Sequence, residues 1–519
     1  MAARHALRTR PEHHRPTTYR PVVEAALDGT LPGGGRHRAS GLLAGQQADR
    51  QSLGGRTKRA LGWSFLNNIV GRVGSSLTAI ILARILVPED YGVYAVALVV
   101  LTALLSMNEL GVSLAIVRWP GSVDRIAPTV VTLSLLSSTA LYIGCYLAAP
   151  AICSAMSAPD AVGVLRLLAV GVLIDAATAV PAALMVREFM QGRRLVVDSV
   201  GFVIVSGVSI GLAVAGYGAW SLAWGALLGN IANGVLILLW SPARHWPGFR
   251  RDVARELLSF GLPLATASVL VFAMLNLDYI VVGHQLGAVE LGFYLLAFNL
   301  SAWPVNLFSA PVRRVSLAAF ARLQEDRAKA GDAFVRAGAL LLAATLPASF
   351  LLCAFASQLV GFVYGDKWLP AAQALPFLAV LAVVRVFSEL AYDYLVALGR
   401  SRVNLVVQSI WFGALLIALP VGARMDGIRG VAIAHAAVAV LLVVPAYLIA
   451  LQGNGVPARE IMARCTRPAV GLALGAVVAA AVLAFVPGRF AELAVGGTAV
   501  MVVYLAVVHP MRHLVPRTV

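Results

Sequence analysis

Stretches of about 20 apolar residues recur along this 519-residue chain, and each is long enough to cross the roughly 30 Å hydrocarbon core of a bilayer. Only 13% of the residues are charged, and the mean hydropathy is +0.82. A soluble domain would need more charged side chains on its surface. We therefore predict an all-α integral membrane protein with about 14 spanning helices.

The positive charges lie in alternate loops, which predicts an orientation in the membrane. Net charge is +16, and arginines crowd the loops 241–256 and 313–336 while the intervening loops hold few. The positive-inside rule then predicts a multi-pass protein of the inner (plasma) membrane with both termini cytoplasmic. Nucleic acid, the other partner that a basic chain suggests, is disfavoured because no nucleic-acid module is present; membrane lipids are the expected partner. Loop 313–336 either lies along the membrane interface or docks a cytoplasmic partner.

One motif occurs twice, about two hundred residues apart, which indicates an internal repeat. Six predicted helices separate the two copies, so both halves have the same orientation and are related by an axis along the membrane normal. We predict two six-helix lobes in parallel repeat, 57–250 and 251–455, and about two additional C-terminal helices in 456–519. The first 56 residues are either a disordered basic cytoplasmic tail or the product of a start codon assigned too far upstream. The two copies are Leu86-x-x-x-Asp90-x-Gly92-x-Tyr94 and Leu286-x-x-x-Glu290-x-Gly292-x-Tyr294.

The stretch 276–323 also carries a family resemblance. It resembles the polysaccharide-transporter branch of the MOP flippase superfamily, the Wzx and WzxC-type flippases of lipid-linked oligosaccharides, and the likeness extends more loosely over 57–450. The resemblance implies a MOP/MATE-like bundle. The positions that carry it are Asp278, Gly283, Leu286, Gly292, Tyr294, Asn299, Pro304, Pro311, Arg314, Phe320 and Leu323.

The loops leave little room for an enzyme active site. Those predicted to face outward are short, and the best acid pair, Glu89 and Asp90, is more typical of a turn between helices because an acid recurs at Glu290. No nucleotide-binding glycine loop, nucleophile elbow or zinc motif is present. We predict a protein that is not an enzyme and has no cofactor and no metal site, and in which His284 and His435 are packing residues.

Ionisable residues inside the predicted spans are the candidates for function, because each costs at least about 2.5–3.5 kcal/mol at a helix centre unless it faces a polar cavity or a partner. Arg72, with Asn68 one turn before it, is a candidate for binding a diphosphate through its guanidinium fork. The alternative is an internal ion pair between Arg72 and Glu109.

Arg385, Glu389 and Asp393 lie on one face of a predicted helix, at i, i+4 and i+8. The spacing permits an Arg385–Glu389 pair along the helix. This face either lines a substrate cavity, in which case Arg385 and Glu389 bind substrate, or it lies near the inner membrane edge. Tyr392, close by, would contact a sugar ring or the membrane interface.

Asp278, Glu109 and Asp175 are the candidates for ion coupling. A carboxyl group in a low-dielectric span can exchange a proton or bind a cation. For Asp278 the alternative is structural, a hydrogen bond that holds its helix to a neighbour. The sequence does not decide between the two roles.

The resemblance implies a transporter that carries a polyprenyl-diphosphate-linked oligosaccharide across the membrane by alternating access, for exopolysaccharide or capsule-type glycan export. Its implied partners are that substrate and the polysaccharide polymerase or export machinery. Three alternatives stay open: a multidrug or cation exporter of the same superfamily, a polytopic enzyme of glycan assembly, and a scaffold that does not transport.

Overall fold

The computed structural model describes residues 74–108, 116, 123–188, 190–309, 316, 319–323 and 326–510. These residues form helices and connecting turns and contain no strand. Eleven of the helices in these ranges are long and apolar enough to cross a membrane. The prediction of an all-helical, multi-pass membrane protein is confirmed.

The first half of the described chain forms six helices, here called the N-half. Five of them meet the length and hydropathy needed for a membrane span, and the first is the described part of a predicted span. They are α1 Gly74–Ile85, α2 Pro88–Asn108, α3 Ala127–Ala155, α4 Ala161–Arg187, α5 Gln191–Val214 and α6 Ala219–Trp240.

The second half, here called the C-half, extends to Gln452 and is followed by two further spans. Its helices are α7 Arg251–Leu286, α8 Ala288–Pro304 with a π-helical turn at Val305–Ser309, α9 Arg327–Ala354, the short α10 Ala356–Val363, α11 Ala371–Ala397, α12 Ser401–Val438 with a π-helical turn at Ala439–Val443, and α13 Val444–Gln452. The last two are α14 Ala458–Phe485 and α15 Arg489–Val508. The boundaries of the predicted lobes stay a prediction.

The helical stretch Ser401–Gln452 accounts for two crossings. Its 52 residues would span about 78 Å as a straight helix, more than twice the hydrocarbon thickness. Asp426 and Gly427 have non-helical dihedrals, and Gly427 has φ +54°, a value that favours glycine. The chain therefore turns back at these residues.

The repeated glycines form the contact between the two halves. Helices α2 and α8 cross so closely that a Cβ on Gly292 would lie 2.9 Å from the carbonyl oxygen of Pro88 and 3.0 Å from the amide nitrogen of Gly92. A Cβ on Gly92 would run into the backbone of Ala288. Small residues at helix interfaces let backbones approach and pack tightly in a membrane. The two copies of the repeated motif thus lie on the two helices that cross here, one copy in each half.

This crossing lies at the end of the bundle that carries the connections 85–88, 286–288 and 363–371, here called the arginine-poor end. At the same end the imidazole Nδ1 of His284, on α7, donates a hydrogen bond to the carbonyl oxygen of Ala155, on α3, at 2.6 Å. A Cβ on the neighbouring Gly283 would press on the side chain of Met156. The two halves are therefore in direct contact across the arginine-poor end.

At the opposite, arginine-rich end, α7 packs on the N-half. Val253 and Leu257, near its start, are buried against Ile126 and Val130 of the N-half. The amide of Gly248 donates to the carbonyl oxygen of Pro128 at 3.1 Å, which holds the connection between the halves against α3. Helix α7 therefore contacts the N-half near both of its ends.

Asp326 begins α9 at the arginine-rich end. Its carboxylate accepts a hydrogen bond from the backbone N–H of Lys329 at 3.1 Å and pairs with the Lys329 ammonium at 3.0 Å. These interactions hold the pKa of Asp326 below its ordinary value. This cap fixes where loop 313–336 gives way to helix.

The C-terminal helices α14 and α15 pack on each other and on α9. Tyr504 of α15 is buried, and its hydroxyl donates to the carbonyl oxygen of Ala343 on α9 at 2.8 Å. A buried tyrosine hydroxyl needs such a partner in a membrane. The pair is thus attached to the C-half.

Replacing Gly92 by Ala should destabilise the protein, because the added methyl group meets backbone that cannot move aside. Overpacking of this kind costs about 1–3 kcal/mol. Gly144→Ala on α3 is the matched control, since a Cβ there has no neighbour within 4 Å. Thermal unfolding in detergent should show a lower midpoint for G92A and not for G144A; equal midpoints would contradict the close crossing.

Candidate substrate cavity

A cavity of about 240 Å³ lies among α7, α8, α11 and α12 of the C-half. Its walls combine aromatic and aliphatic side chains with a few polar groups, as is usual for ligand sites. The residues that line it are Met274, Leu275, Phe298, Arg385, Ser388, Glu389, Tyr392, Gln408, Trp411, Leu415 and His435.

The structure places Arg385 and Glu389 in the cavity wall but does not pair them. The guanidinium of Arg385 lies over the ring of Phe298, 5.6 Å from its centroid, a cation–π geometry. Glu389 instead accepts a hydrogen bond from the hydroxyl of Ser309 at 2.6 Å. Within the described part of the chain, Arg385 forms no salt bridge. The Arg385–Glu389 pair that the spacing permitted is absent because the π-helical turn after α8 brings Ser309 to the carboxylate.

Four further polar atoms of the cavity wall have no hydrogen-bond partner among the described residues: the hydroxyl oxygen of Ser388, the amide oxygen Oε1 of Gln408, the indole nitrogen of Trp411 and Nδ1 of His435. All four are buried, and a buried polar atom without a partner costs about 1–3 kcal/mol. Gln408 Oε1 only accepts, whereas the indole N–H of Trp411 and the five guanidinium N–H groups of Arg385 only donate. The donors of the cavity wall therefore outnumber this acceptor, and the cavity suits an anionic or oxygen-rich ligand.

Asp278 is buried at the junction of α7, α8 and α12. Its Oδ2 accepts a hydrogen bond from the hydroxyl of Tyr294 on α8 at 3.0 Å, and its Oδ1 accepts the backbone N–H of Tyr279, also at 3.0 Å. Nδ1 of His435 on α12 lies 3.7 Å from Oδ2. Asp278 therefore holds two helices together and also faces a titratable group in the cavity wall.

His435 is the functional candidate that sequence reasoning missed. It had been interpreted as a packing residue because no ligand-spaced partner lies near it in the chain. In the structure its Nδ1 lies 3.7 Å from the carboxylate of Asp278, more than 150 positions earlier and on a different helix. Only the polarity of an imidazole inside an apolar run could have indicated it.

Asp175 belongs to a separate polar cluster in the N-half. Nδ2 of Asn108 donates to its carboxylate at 3.4 Å, and Oδ1 of Asn108 accepts hydrogen bonds from Ser138 at 2.6 Å and Ser137 at 3.3 Å. The cluster joins α2, α3 and α4. Asp175 itself is exposed although it lies in the middle of a span. A carboxylate there normally faces a bundle interior or a water-filled space.

The remaining residues that the sequence singled out do not line the cavity, apart from Tyr392, or lie outside the described residues. Asn68, Arg72 and Glu109 lie outside the described residues. Asp393 is buried and does not line the cavity, whereas Tyr392 does.

Asp90 forms a turn. Its carboxylate accepts the backbone N–H groups of Val87 at 3.3 Å and Ala219 at 3.1 Å. This role agrees with the structural interpretation of the Glu89–Asp90 pair.

The family model described as polysaccharide biosynthesis protein matches residues 81–373. The lipopolysaccharide biosynthesis protein WzxC of Escherichia coli (strain K12) is 23% identical over 410 residues, 77% of this chain and 82% of WzxC. The succinoglycan biosynthesis transport protein ExoT of Rhizobium meliloti (strain 1021) is 25% identical over 330 residues, 63% of this chain and 65% of ExoT.

A solved structure of the lipid II flippase MurJ, in an inward closed conformation, superposes with a TM-score of 0.73 at 15% identity. The superposition covers 88% of this chain and 98% of that one. This likeness concerns the fold, and it confirms the predicted bundle.

A double-mutant cycle of Tyr294→Phe and Asp278→Ala should give a coupling of about 1 kcal/mol, because the two side chains share one buried hydrogen bond that each substitution removes. Thermal unfolding of the purified single and double variants measures it. Tyr279→Phe paired with Asp278→Ala is the control, since the structure assigns no hydrogen bond between the Tyr279 hydroxyl and Asp278. Additive effects of Y294F and D278A would contradict the contact.

Proposed function

Because this chain belongs to the polysaccharide biosynthesis protein family, whose model matches residues 81–373, we propose that it is a membrane transporter that carries a polyprenyl-diphosphate-linked oligosaccharide across the cell membrane. Two of its relatives bear names that support this, a lipopolysaccharide biosynthesis protein and a succinoglycan biosynthesis transport protein. The transported glycan would serve a surface or exported polysaccharide.

The observation that carries the proposal is the excess of hydrogen-bond donors in the cavity. A diphosphate is doubly anionic or more, and its oxygens only accept hydrogen bonds. The guanidinium of Arg385 can bind two of them at once, and the indole N–H of Trp411 and the hydroxyl of Ser388 can complete the shell. Ser309 holds Glu389, so its charge is partly satisfied by the protein rather than directed at the ligand.

The cavity is small for the whole substrate. At about 240 Å³ it lies below the usual range of drug-sized sites, roughly 300–1,000 Å³. It would hold the diphosphate and an adjoining sugar unit. The polyprenyl chain would remain in the bilayer, where its apolar surface stays out of water. Tyr392 in the wall offers a ring for stacking on that sugar.

The contacts at the arginine-poor end support alternating access. By the positive-inside rule this end faces outward and the arginine-rich end faces the cytoplasm, with both termini cytoplasmic. The α2–α8 crossing closes the outward side, so this conformation would load from the cytoplasmic leaflet. Release outward then requires the two halves to rock apart at the crossing.

Asp278 is the coupling group that we favour, with Asp175 and Glu109 as further candidates. Of the two candidates that the structure describes, Asp278 and Asp175, it is Asp278 that lies beside a cavity-lining side chain, His435, so a change in its charge would be felt at the substrate. A proton or a cation bound there during one half of the cycle would link an ion gradient to glycan export.

The runner-up is a multidrug or cation exporter of the same superfamily. Such a protein needs carboxylates and aromatic rings that face an organic cation. This cavity contains both, but its carboxylate, Glu389, accepts a hydrogen bond from Ser309, and the wall also presents the cation of Arg385. In the proposed function, the polysaccharide polymerase or export machinery would receive the transported substrate.

A membrane enzyme of glycan assembly is a further alternative. It would need carboxylic acids that are free to react, whereas the carboxylate of Asp90 accepts hydrogen bonds from two backbone amides.

Arg385→Ala should weaken the binding of a diphosphate about 10–100-fold, because charge-assisted hydrogen bonds contribute about 1.5–3 kcal/mol. Farnesyl diphosphate is a suitable probe that needs no knowledge of the glycan, and farnesol controls for the lipid tail. Calorimetry in detergent gives the affinities. Arg385→Lys should be intermediate, since it keeps the charge and loses the fork.

Arg402→Ala, an exposed arginine at the start of α12, is the matched control and should bind as the unmodified protein does. In the native host R385A should lower surface polysaccharide and leave lipid-linked precursor on the cytoplasmic side. Unchanged binding and unchanged export would remove Arg385 from the site. Binding of organic cations in place of farnesyl diphosphate would favour the drug exporter.

Asp278→Asn should abolish export, whereas Tyr294→Phe should preserve most of it. Y294F loses the hydrogen bond to Asp278 and keeps the titratable carboxyl, whereas D278N keeps an acceptor oxygen and loses the titratable carboxyl. Surface polysaccharide normalised to the amount of protein in the membrane measures the difference. Equal losses in the two variants would assign Asp278 to anchoring α8 alone.

A further inference from the structure

The end of α1 is held by residues from the other half of the chain. The last carbonyl groups of a helix have no partner within it. Here the indole N–H of Trp368 donates to the carbonyl oxygen of Ala83 at 2.8 Å. The ammonium of Lys367 donates to the carbonyl oxygens of Arg84 at 3.0 Å and Leu86 at 2.5 Å.

The arrangement is reciprocal. The guanidinium of Arg84 donates through Nε to the carbonyl oxygen of Val363 at 2.7 Å and through a second nitrogen to that of Phe362. Val363 is the last residue of α10. Each half thus supplies the cation that caps a helix C-terminus of the other half, where the helix dipole favours positive charge.

Trp368 lies at the centre of this contact. It is fully buried, and the rings of Tyr91 on α2 and Phe293 on α8 meet it edge to face at centroid distances of 5.0 and 5.9 Å. These two rings flank the crossing at Gly92 and Gly292. The capping contacts and the glycine crossing therefore form one continuous interface.

Two cations lie side by side in it. Burial lowers the pKa of Lys367, and the Arg84 guanidinium lowers it further. The Asp90 carboxylate acts in the opposite direction on the pKa of Lys367, and the helix carbonyl oxygens offset the repulsion further while both helix ends stay in place. An interface of polar caps at the water boundary is also reversible, because water can replace each cap when it opens.

We propose that Arg84, Lys367 and Trp368 form a latch that keeps the arginine-poor end closed and that must open before the cavity is reached from that side. The latch extends the proposed function by naming the contacts that separate the two access states. Because opening of the latch is a conformational change, it can be measured without any substrate.

The test is the accessibility of a cysteine in the cavity. The four native cysteines are replaced by Ala, Ser388 is replaced by Cys, and a membrane-impermeant maleimide is added to intact cells. Arg84→Gln and the pair Arg84→Gln with Lys367→Met should raise the labelling rate about tenfold or more, because lost charged hydrogen bonds shift the closed–open equilibrium by that order. Trp368→Phe, which keeps the ring contacts and loses the N–H, should raise it less.

Arg489→Gln is the matched control. Arg489 of α15 pairs with Asp366, next to Lys367, but it does not join the two halves. This variant should leave the labelling rate unchanged. A thermal unfolding midpoint for each variant identifies those that fold, and a folded R84Q alone suffices to decide, since Arg84 is exposed.

Unchanged labelling in folded R84Q and in the double variant would overturn the latch. An equal rise in R489Q would also overturn it, because the effect would then be general loosening. In inverted vesicles, where the arginine-rich end faces the reagent, the latch variants should label no faster than the parent. If farnesyl diphosphate does not bind but the latch variants still label faster, the proposed substrate is rejected and the latch is supported.

Discussion

A polar side chain inside a bilayer needs a partner, since neither lipid nor water is there to supply one, and this demand divides the polar residues of the chain into two sets. In the first set the protein supplies the partner: Tyr294 for Asp278, Ser309 for Glu389, Asn108 for Asp175. In the second set, Trp411 and Ser388 among them, no described residue does so. The first set builds the bundle, and the members of the second set that line the cavity, Ser388, Gln408, Trp411 and His435, are available to a ligand.

The same demand explains why the halves meet through glycine. A charged or bulky contact where α2 and α8 cross would have to be desolvated and rebuilt in every transport cycle. Gly92 and Gly292 instead let two backbones touch with little side-chain surface between them. Such a crossing packs well in one arrangement and has no buried polar group to strand when the halves separate. The polar contacts between the halves are placed at the water boundary, where Lys367 and Arg84 can exchange carbonyl groups for water.

The sequence predicted what depends on period and spacing. Apolar runs predicted the spans, and the repeated glycine motif predicted an internal repeat; that its glycines form a contact between the halves became apparent only in the structure. Arg385 and Glu389 were correctly predicted to share a face, since i and i+4 always do in a helix. The Arg385–Glu389 pair that the spacing permits does not form, and His435 was missed, because both depend on which neighbouring helix packs against that face. Ser309 reaches Glu389 through a π-helical turn, and His435 on α12 lies beside Asp278 on α7. No local sequence pattern predicts either contact.

The cavity wall contains residues of the C-half alone, although a substrate that crosses the membrane must pass between both halves. At about 240 Å³ it can hold only the part of a lipid-linked oligosaccharide that Arg385 would bind. The rest must contact other parts of the protein. In the N-half, Asp175 is exposed at mid-span beside Asn108, and a carboxylate hydrogen-bonds sugar hydroxyls and repels a diphosphate. We therefore propose that the diphosphate binds at Arg385 in the C-half and that Asp175 of the N-half contacts the glycan.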